Sequence, residues 1–277
     1  MNQSQDRPQI APRGTQRIHF VSDPSSIAVG LLSDPTEADQ LRRWVDMVAD
    51  SGVDVFQQDA YHKGCSVYWR SDKFQYDPRR QHKRFLPMLD AGIQPLQVLL
   101  DQCHKRGMTF VAGFRMNDNH GLAHFPDRAE FVDSHPEWWL PDTREPGPNR
   151  DLYEGRILDY SFDGVRELVI EVAEELLNHF DIDGIELTFR EPAYFPISEG
   201  RQRAHLMTDL VRRLRELLDE RSNGRRLTLG ARVFSTLDEC LDKGLDVPTW
   251  INEGLIDCLF PENTMYSDFN AGYAEFG

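Results

Sequence analysis

The sequence predicts an α/β fold, a parallel (β/α)₈ TIM barrel truncated after about six βα units. Three observations carry that expectation. Short β-branched or aromatic runs alternate with amphipathic stretches, the pattern of repeated βα units around a parallel sheet. Segments that follow strands are long while those returning from helix to strand are short, as in barrels whose post-strand loops form the functional face. Polar and titratable residues recur where strands end.

Residues 1–14 are polar, carry Pro8 and Pro12, and read as a flexible tail ahead of one catalytic-type barrel domain over 15–277. They hold no apolar run of the signal-peptide kind, so the cytoplasm is the default compartment. The first strand is expected at 17–23, closed by Asp23 before Pro24 as a turn former or a ligand. Thr36 after Pro35 then N-caps a helix with Asp39 three residues on and Leu41, Trp44, Val45 and Val48 on one face. The second strand, 53–59, opens the long segment 61–94. Pro95 starts a helix that spaces Leu96, Leu99, Leu100 and Cys103 helically and stops at Gly107. The third strand, 109–115, leads into the second long segment, 116–160. Helices follow through Val165, Leu168, Val169, Val172, Leu176 and Leu177, and through Met207, Leu210, Val211, Leu214 and Leu217, the second ended by Ser222-Asn223-Gly224. Between and after them come strands at 184–190, 227–234 and 256–262. Only 263–277 remain, against ~60 residues for two further βα units. The domain is therefore expected to be incomplete at its C-terminal end.

Composition narrows the function. The net charge of −15 over 277 residues does not supply the clustered Lys and Arg that nucleic acid requires. No apolar run approaches the ~20 residues of a membrane span. The four cysteines lie far apart without a CxxC pair, so neither a zinc ribbon nor a disulfide framework is expected. No cofactor or metal is implied, and the sequence carries no oligomeric signal.

The fourth strand is the most informative. Alternation turns Ile185, Leu187 and Phe189 toward the helices and Glu186, Thr188 and Arg190 into the barrel or its mouth. Inward charges are costly unless paired or used, so Glu186 either carries acid/base chemistry or fills the barrel in an ion pair with Arg190 or Arg232. The third strand ends in Arg115-Met116-Asn117-Asp118-Asn119-His120, the second in Asp59-Ala60-Tyr61-His62, and the sixth in Glu262. Two carboxylates at a suitable separation are what glycosidic cleavage asks for. Glu186, Asp118 and Glu262 are accordingly the catalytic candidates. Arg115, Asn117, Asp59, His120, Arg190 and Arg232 are candidate substrate contacts, joined by Trp138 and Tyr194, whose aromatic faces suit sugar rings. Several inward arginines suit an acidic sugar, since a guanidinium grips a carboxylate or sulfate with two hydrogen bonds.

The runs Phe114-Arg115-Met116-Asn117-Asp118, His135-Pro136-Glu137-Trp138, Leu158-Asp159-Tyr160 and Phe180 to Leu187 resemble those of the glycoside-hydrolase-like family 10 barrels, over about residues 15 to 265. That resemblance implies a (β/α)₈ barrel acting on a carbohydrate. The fourth-strand run is also similar to the Asp-Gly-x-Asp-x-Asp-x-Glu motif of family 18 chitinases. Here Glu186, Thr188 and Arg190 stand at its last three acidic positions, which argues against a substrate-assisted mechanism. Retaining glycosidase barrels place an acid/base Glu on strand four, a role Glu186 matches, and a nucleophile on strand seven, which this sequence lacks. Two competing readings stand beside the glycosidase: a non-catalytic carbohydrate-binding barrel, motivated by Thr188 and Arg190, and a metal-dependent hydrolase or isomerase using Asp59, His62, Glu186 and His120, which no HxH or HExxH spacing supports.

Overall fold

The computed structural model describes residues 17–62, 66–117, 130–140, 157–189, 193–262 and Phe276. All six expected strands are present. In chain order they are β1 (His19–Ser22), β2 (Val55–His62), β4 (Thr109–Arg115), β5 (Gly184–Thr188), β6 (Thr228–Phe234) and β7 (Cys258–Glu262). They pair in parallel, each with the next, and the two-residue β3 (Ser66–Val67) pairs antiparallel with the end of β2. The sheet is a curled part of a barrel: His19 on β1 and Phe260 on β7, at opposite ends of the strand order, bring their rings within 4.9 Å on the concave side.

Helices cover the convex side. Those the sequence marks are α2 (Ala38–Asp50), α4 (Pro95–Lys105), α6 (Asp163–His179) and α7 (Gly200–Glu220). Their apolar faces join Phe56, Phe110, Ile185, Leu187 and Leu229 in one buried core. Pro95 begins α4 at its first turn, and Gly107 follows it with φ of 74°. The cap of α2 differs from the expectation by one residue. Glu37 and Gln40 form a reciprocal capping box, while the Thr36 hydroxyl donates instead to Ser33 O in the preceding turn.

Among the described residues, five shorter helices lack a long apolar period. α1 (Pro24–Gly30) is capped by Asp23, which accepts from Ser25 N at 2.8 Å. α3 (Leu86–Asp90) follows a 3₁₀ helix at Arg80–Phe85 within the first long post-strand segment. α5 (Glu130–Ser134) and a 3₁₀ turn at Pro136–Trp138 belong to the second, and α8 (Leu237–Asp242) and α9 (Val247–Asn252) lie between β6 and β7.

At the other end of the sheet the strands are tied by a repeated device. Asp54, Asp183 and Asp257 each precede a strand, β2, β5 and β7. Each donates its own N–H to the carbonyl of one residue at the start of the neighbouring strand, Ile18, Phe110 and Leu229 respectively. Each carboxylate accepts the N–H of that same residue, at 2.8, 2.8 and 2.9 Å. The side chain thus continues the ladder one rung past the strand's end.

Candidate functional site

The concave face is arranged in layers. Asp59, Gly113, Glu186, Gly230 and Cys258 are register partners across β2, β4, β5, β6 and β7 and so share a face. One step toward the strand ends come Arg115, Thr188, Arg232 and Phe260, and Glu262 follows on β7. The two glycines make room for the acids. A Cβ on Gly113 would lie 1.7 Å from Gln57 Nε2 and 2.6 Å from Asp59 Oδ1, and one on Gly230 would lie 3.4 Å from Glu186 Cγ.

Glu186 is 2% exposed. Its Oε1 accepts from Arg232 Nε at 3.1 Å and Nη2 at 3.0 Å, and Arg232 Nη1 donates to Glu262 Oε2 at 3.1 Å. One planar cation therefore spans the two carboxylates, with the Phe260 ring centroid 5.3 Å from its central carbon. Burial pushes the Glu186 carboxyl up. The Arg232 charge pulls it down and Glu262 adds an upward push, leaving it above the ordinary carboxylate range. Burial works against the Arg232 charge, but the two carboxylates hold it firmly protonated.

A β-bulge shapes the opposite side. The β2–β4 register passes from Asp59↔Gly113 to Tyr61↔Phe114, which inserts Ala60 and shifts the alternation by one. Asp59 and His62 consequently both face inward, three residues apart. Arg115 Nη1 lies 2.8 Å from His62 Nε2 and 3.9 Å from one oxygen each of Asp59 and Asp23. Behind them the first post-strand segment adds a buried network that the sequence reading did not find. Arg79 binds Asp77 through Nε and Nη2, donates to Tyr68 Oη and lies 3.0 Å from His62 Nδ1. His82 Nε2 meets Ser25 Oγ at 3.0 Å. These residues have no periodic signal, because an irregular segment delivers them.

Of the expected site residues, Glu186, Glu262 and Arg232 come together, and Asp59 and Arg115 form a second group. Asp118, His120 and Arg190 lie outside the described residues. Three others are engaged elsewhere. Asn117 is a cross-link: its Nδ2 donates to Leu158 O and Ala193 O, and its Oδ1 accepts from Leu158 N. Tyr194 is fully buried, edge-on to Phe189 and Tyr160. Trp138 stacks on His135 at 4.2 Å and 9° and covers Gly164, where a Cβ would fall 2.3 Å from its ring. Its placement serves the packing of the second long segment on α6. Of the arginines on which the acidic-sugar expectation rests, Arg232 faces two carboxylates at hydrogen-bond distance, Arg115 faces two at 3.9 Å, and Arg190 lies outside the described residues.

The family model described as glycosyl hydrolase-like 10 matches residues 35–206, more than half of the chain. The chain belongs to the glycosyl hydrolase-like 10 family. Its fold is similar to that of alpha-L-fucosidase isoenzyme 2 from Paenibacillus thiaminolyticus, at 15% identity and a TM-score of 0.52, over 78% of this chain and 32% of that one. The noncanonic maltogenic alpha-amylase AmyB from Thermotoga neapolitana aligns at 15% identity and a TM-score of 0.47, over 83% of this chain and 48% of that one. This glycosyl hydrolase-like 10 chain thus spans less than half the length of either protein. No curated protein matches it. The fucosidase likeness concerns the fold, a TIM-barrel sheet with helices outside. Among the described residues of this family member, no three His, Cys, Asp or Glu side chains converge as a metal would require, and no helix is long and apolar enough to cross a membrane.

Proposed function

We propose that this chain carries the acid/base centre of a glycoside hydrolase acting on an oligo- or polysaccharide, with Glu186 as general acid and Glu262 as the second carboxylate. Asp118, outside the described residues, is the other candidate for that second role. The supporting observation is the carboxylate pair bridged by Arg232, with the buried member raised above the ordinary range. Acid and base assignments follow where environments push two carboxyls apart. Glu186, 2% exposed and raised by burial, is the member proposed to donate the proton, while Glu262, with 28% of its side chain exposed at the strand end, is the member proposed to meet water.

In the reaction, Glu186 passes its proton to the glycosidic oxygen as the bond to the anomeric carbon breaks. The Glu262 carboxylate either attacks that carbon or takes the proton of the water that does. A shared guanidinium holds both carboxylates at hydrogen-bond distance, and such pairs work at separations of ~5–10 Å. Arg232 also steadies the charge Glu186 acquires once its proton has left.

The same bridge favours a second reading, a barrel that binds carbohydrate without turnover, because Arg232 occupies both carboxylates. Glu186→Gln separates the two. Release of reducing ends from a screened glycan panel is expected to fall by about 10²-fold or more in the variant, with binding retained. Binding of the same panel without turnover by the parent chain supports the second reading.

A further inference from the structure

Beyond the ends of β5 and β6 lies a cleft of about 390 Å³ that the proposed acid/base centre does not use. The chain from Ala193 to Ser198, which leads from β5 into α7, forms one wall, and Asp242 and Lys243 at the end of α8 form another. Arg201 in the first turn of α7 also lines it. Both walls follow strands of the proposed centre, β5 with Glu186 and β6 with Arg232, so the cleft belongs to the end of the sheet where a barrel gathers its functional loops. Its volume falls in the range of ~300–1,000 Å³ usual for small-ligand sites.

Two close approaches fix the walls. A Cβ on Gly200 would fall 2.0 Å from Asp242 O, and one on Gly244 would fall 2.4 Å from Phe195 Cε2. The start of α7 and the Phe195 ring therefore seat directly on the end of α8. Ser198, on the same lining, has φ of 66°, a left-handed conformation that residues other than glycine hold where binding sites demand it.

Charge selects the ligand. Arg201 donates through Nε to Asp242 and through Nη2 to Asp238, each at 2.5 Å, and the neighbouring Glu199 pairs with Arg203. The ammonium of Lys243, a half-buried residue, has no hydrogen-bond or ion-pair partner among the described residues. The cleft thus sets one unanswered cation beside apolar surface from Pro196 and Ile197, the latter 59% exposed. A carboxylate answers that cation and a neutral ligand does not.

We infer that this cleft is a rim subsite for an acidic glycosyl unit, a uronate whose carboxylate meets Lys243 and whose ring packs its C–H face on Pro196 and Ile197. The inference deepens the proposed carbohydrate function and rests on it. Hydroxyls of the same ring find an acceptor in Asp242 and a donor and acceptor in Ser198. Recognition of the acid is placed on a lysine at the rim, apart from the inward Arg115 and Arg232, whose charges face carboxylates.

Calorimetry on the full chain tests this with digalacturonate and diglucuronate as probes, their dimethyl esters as uncharged counterparts, and cyclohexanecarboxylate as an acid without sugar hydroxyls. One diuronate is expected to bind at least tenfold more tightly than its ester and than cyclohexanecarboxylate, and rising salt is expected to weaken it, because salt screens an attraction. Lys243→Gln is expected to erase the preference for acid over ester, and Lys243→Arg to keep it. Equal binding of acid and ester, equal binding of cyclohexanecarboxylate, no binding of any probe, or a preference that survives Lys243→Gln overturns the inference. Glycan hydrolysis that is lost in Glu186→Gln, with no preference for the acid, sinks the subsite while leaving the acid role of Glu186 intact. The expected preference with hydrolysis unchanged in Glu186→Gln supports the subsite and sinks the acid role alone.

Discussion

Asp77 holds the Arg79 guanidinium in a place where water does not reach, with the two side chains 1% and 5% exposed. Burial alone would raise its carboxyl, but the Arg79 hydrogen bonds, with the His82, Arg79 and His62 charges, bring it down to about 2. A carboxyl depressed in the folded state contributes stability that is complete above its unfolded value of 3.8 and lost as pH falls toward 2. That contribution is about 2 kcal/mol. His82 acts in the same direction at higher pH. Burial lowers its imidazole from 6.5 to about 3, so the unfolded chain takes up the proton first and stability declines from pH 6.5 downward. Asp77→Asn is expected to cost about 3 kcal/mol at neutral pH, since it leaves Arg79 buried without its anion. It should also flatten the loss of stability between pH 4 and 2. Urea titrations across that range measure both effects, and an unchanged slope would remove Asp77 from the account.

Single residues also show where reading the sequence succeeds. Glu186, Arg232 and Glu262 stand out because strand alternation puts charge where a buried strand wants apolar side chains. His62 has the wrong parity by that rule, and only the bulge at Ala60 turns it inward beside Asp59. Asn117 and Tyr194 have the right composition for a sugar site but are taken up by loop cross-linking and core packing.

Among the elements, strands and long helices were legible because periods of two and 3.6 persist over many residues. The short α1, α8 and α9 were not. Each begins with a side-chain cap, from Asp23, Thr236 and Asp246, rather than an apolar stripe. The aspartates that precede β2, β5 and β7 had no legible role, because which N–H each accepts depends on the neighbouring strand. Asp183 is the most heavily engaged. It also accepts from His104 at 2.8 Å and Arg225 at 2.6 Å. Burial works to raise its carboxyl, and those bonds outweigh it to keep it below the ordinary range. Asp183→Asn is expected to destabilise by about 2 kcal/mol and to speed exchange of the Phe110 amide beyond that of residues central to β4. Uniform acceleration along β4 would show that the aspartate contributes to global stability only.

At the scale of the whole molecule, the curled sheet gives every inward side chain a common space. Helices outside supply the apolar burial, so the concave layers are free to hold charge. Glycines at 113 and 230 open that space beside Glu186, and guanidiniums keep its carboxylates in place. The central claim is that Glu186 is a proton donor in this arrangement. Leaving-group dependence tests it most directly. With aryl glycosides of the sugar the parent chain turns over, Glu186→Gln should slow cleavage of poor leaving groups such as phenol by about 10²-fold or more, and barely affect dinitrophenol, which departs without a proton. An equal loss for both leaving groups, or none for either, would contradict it.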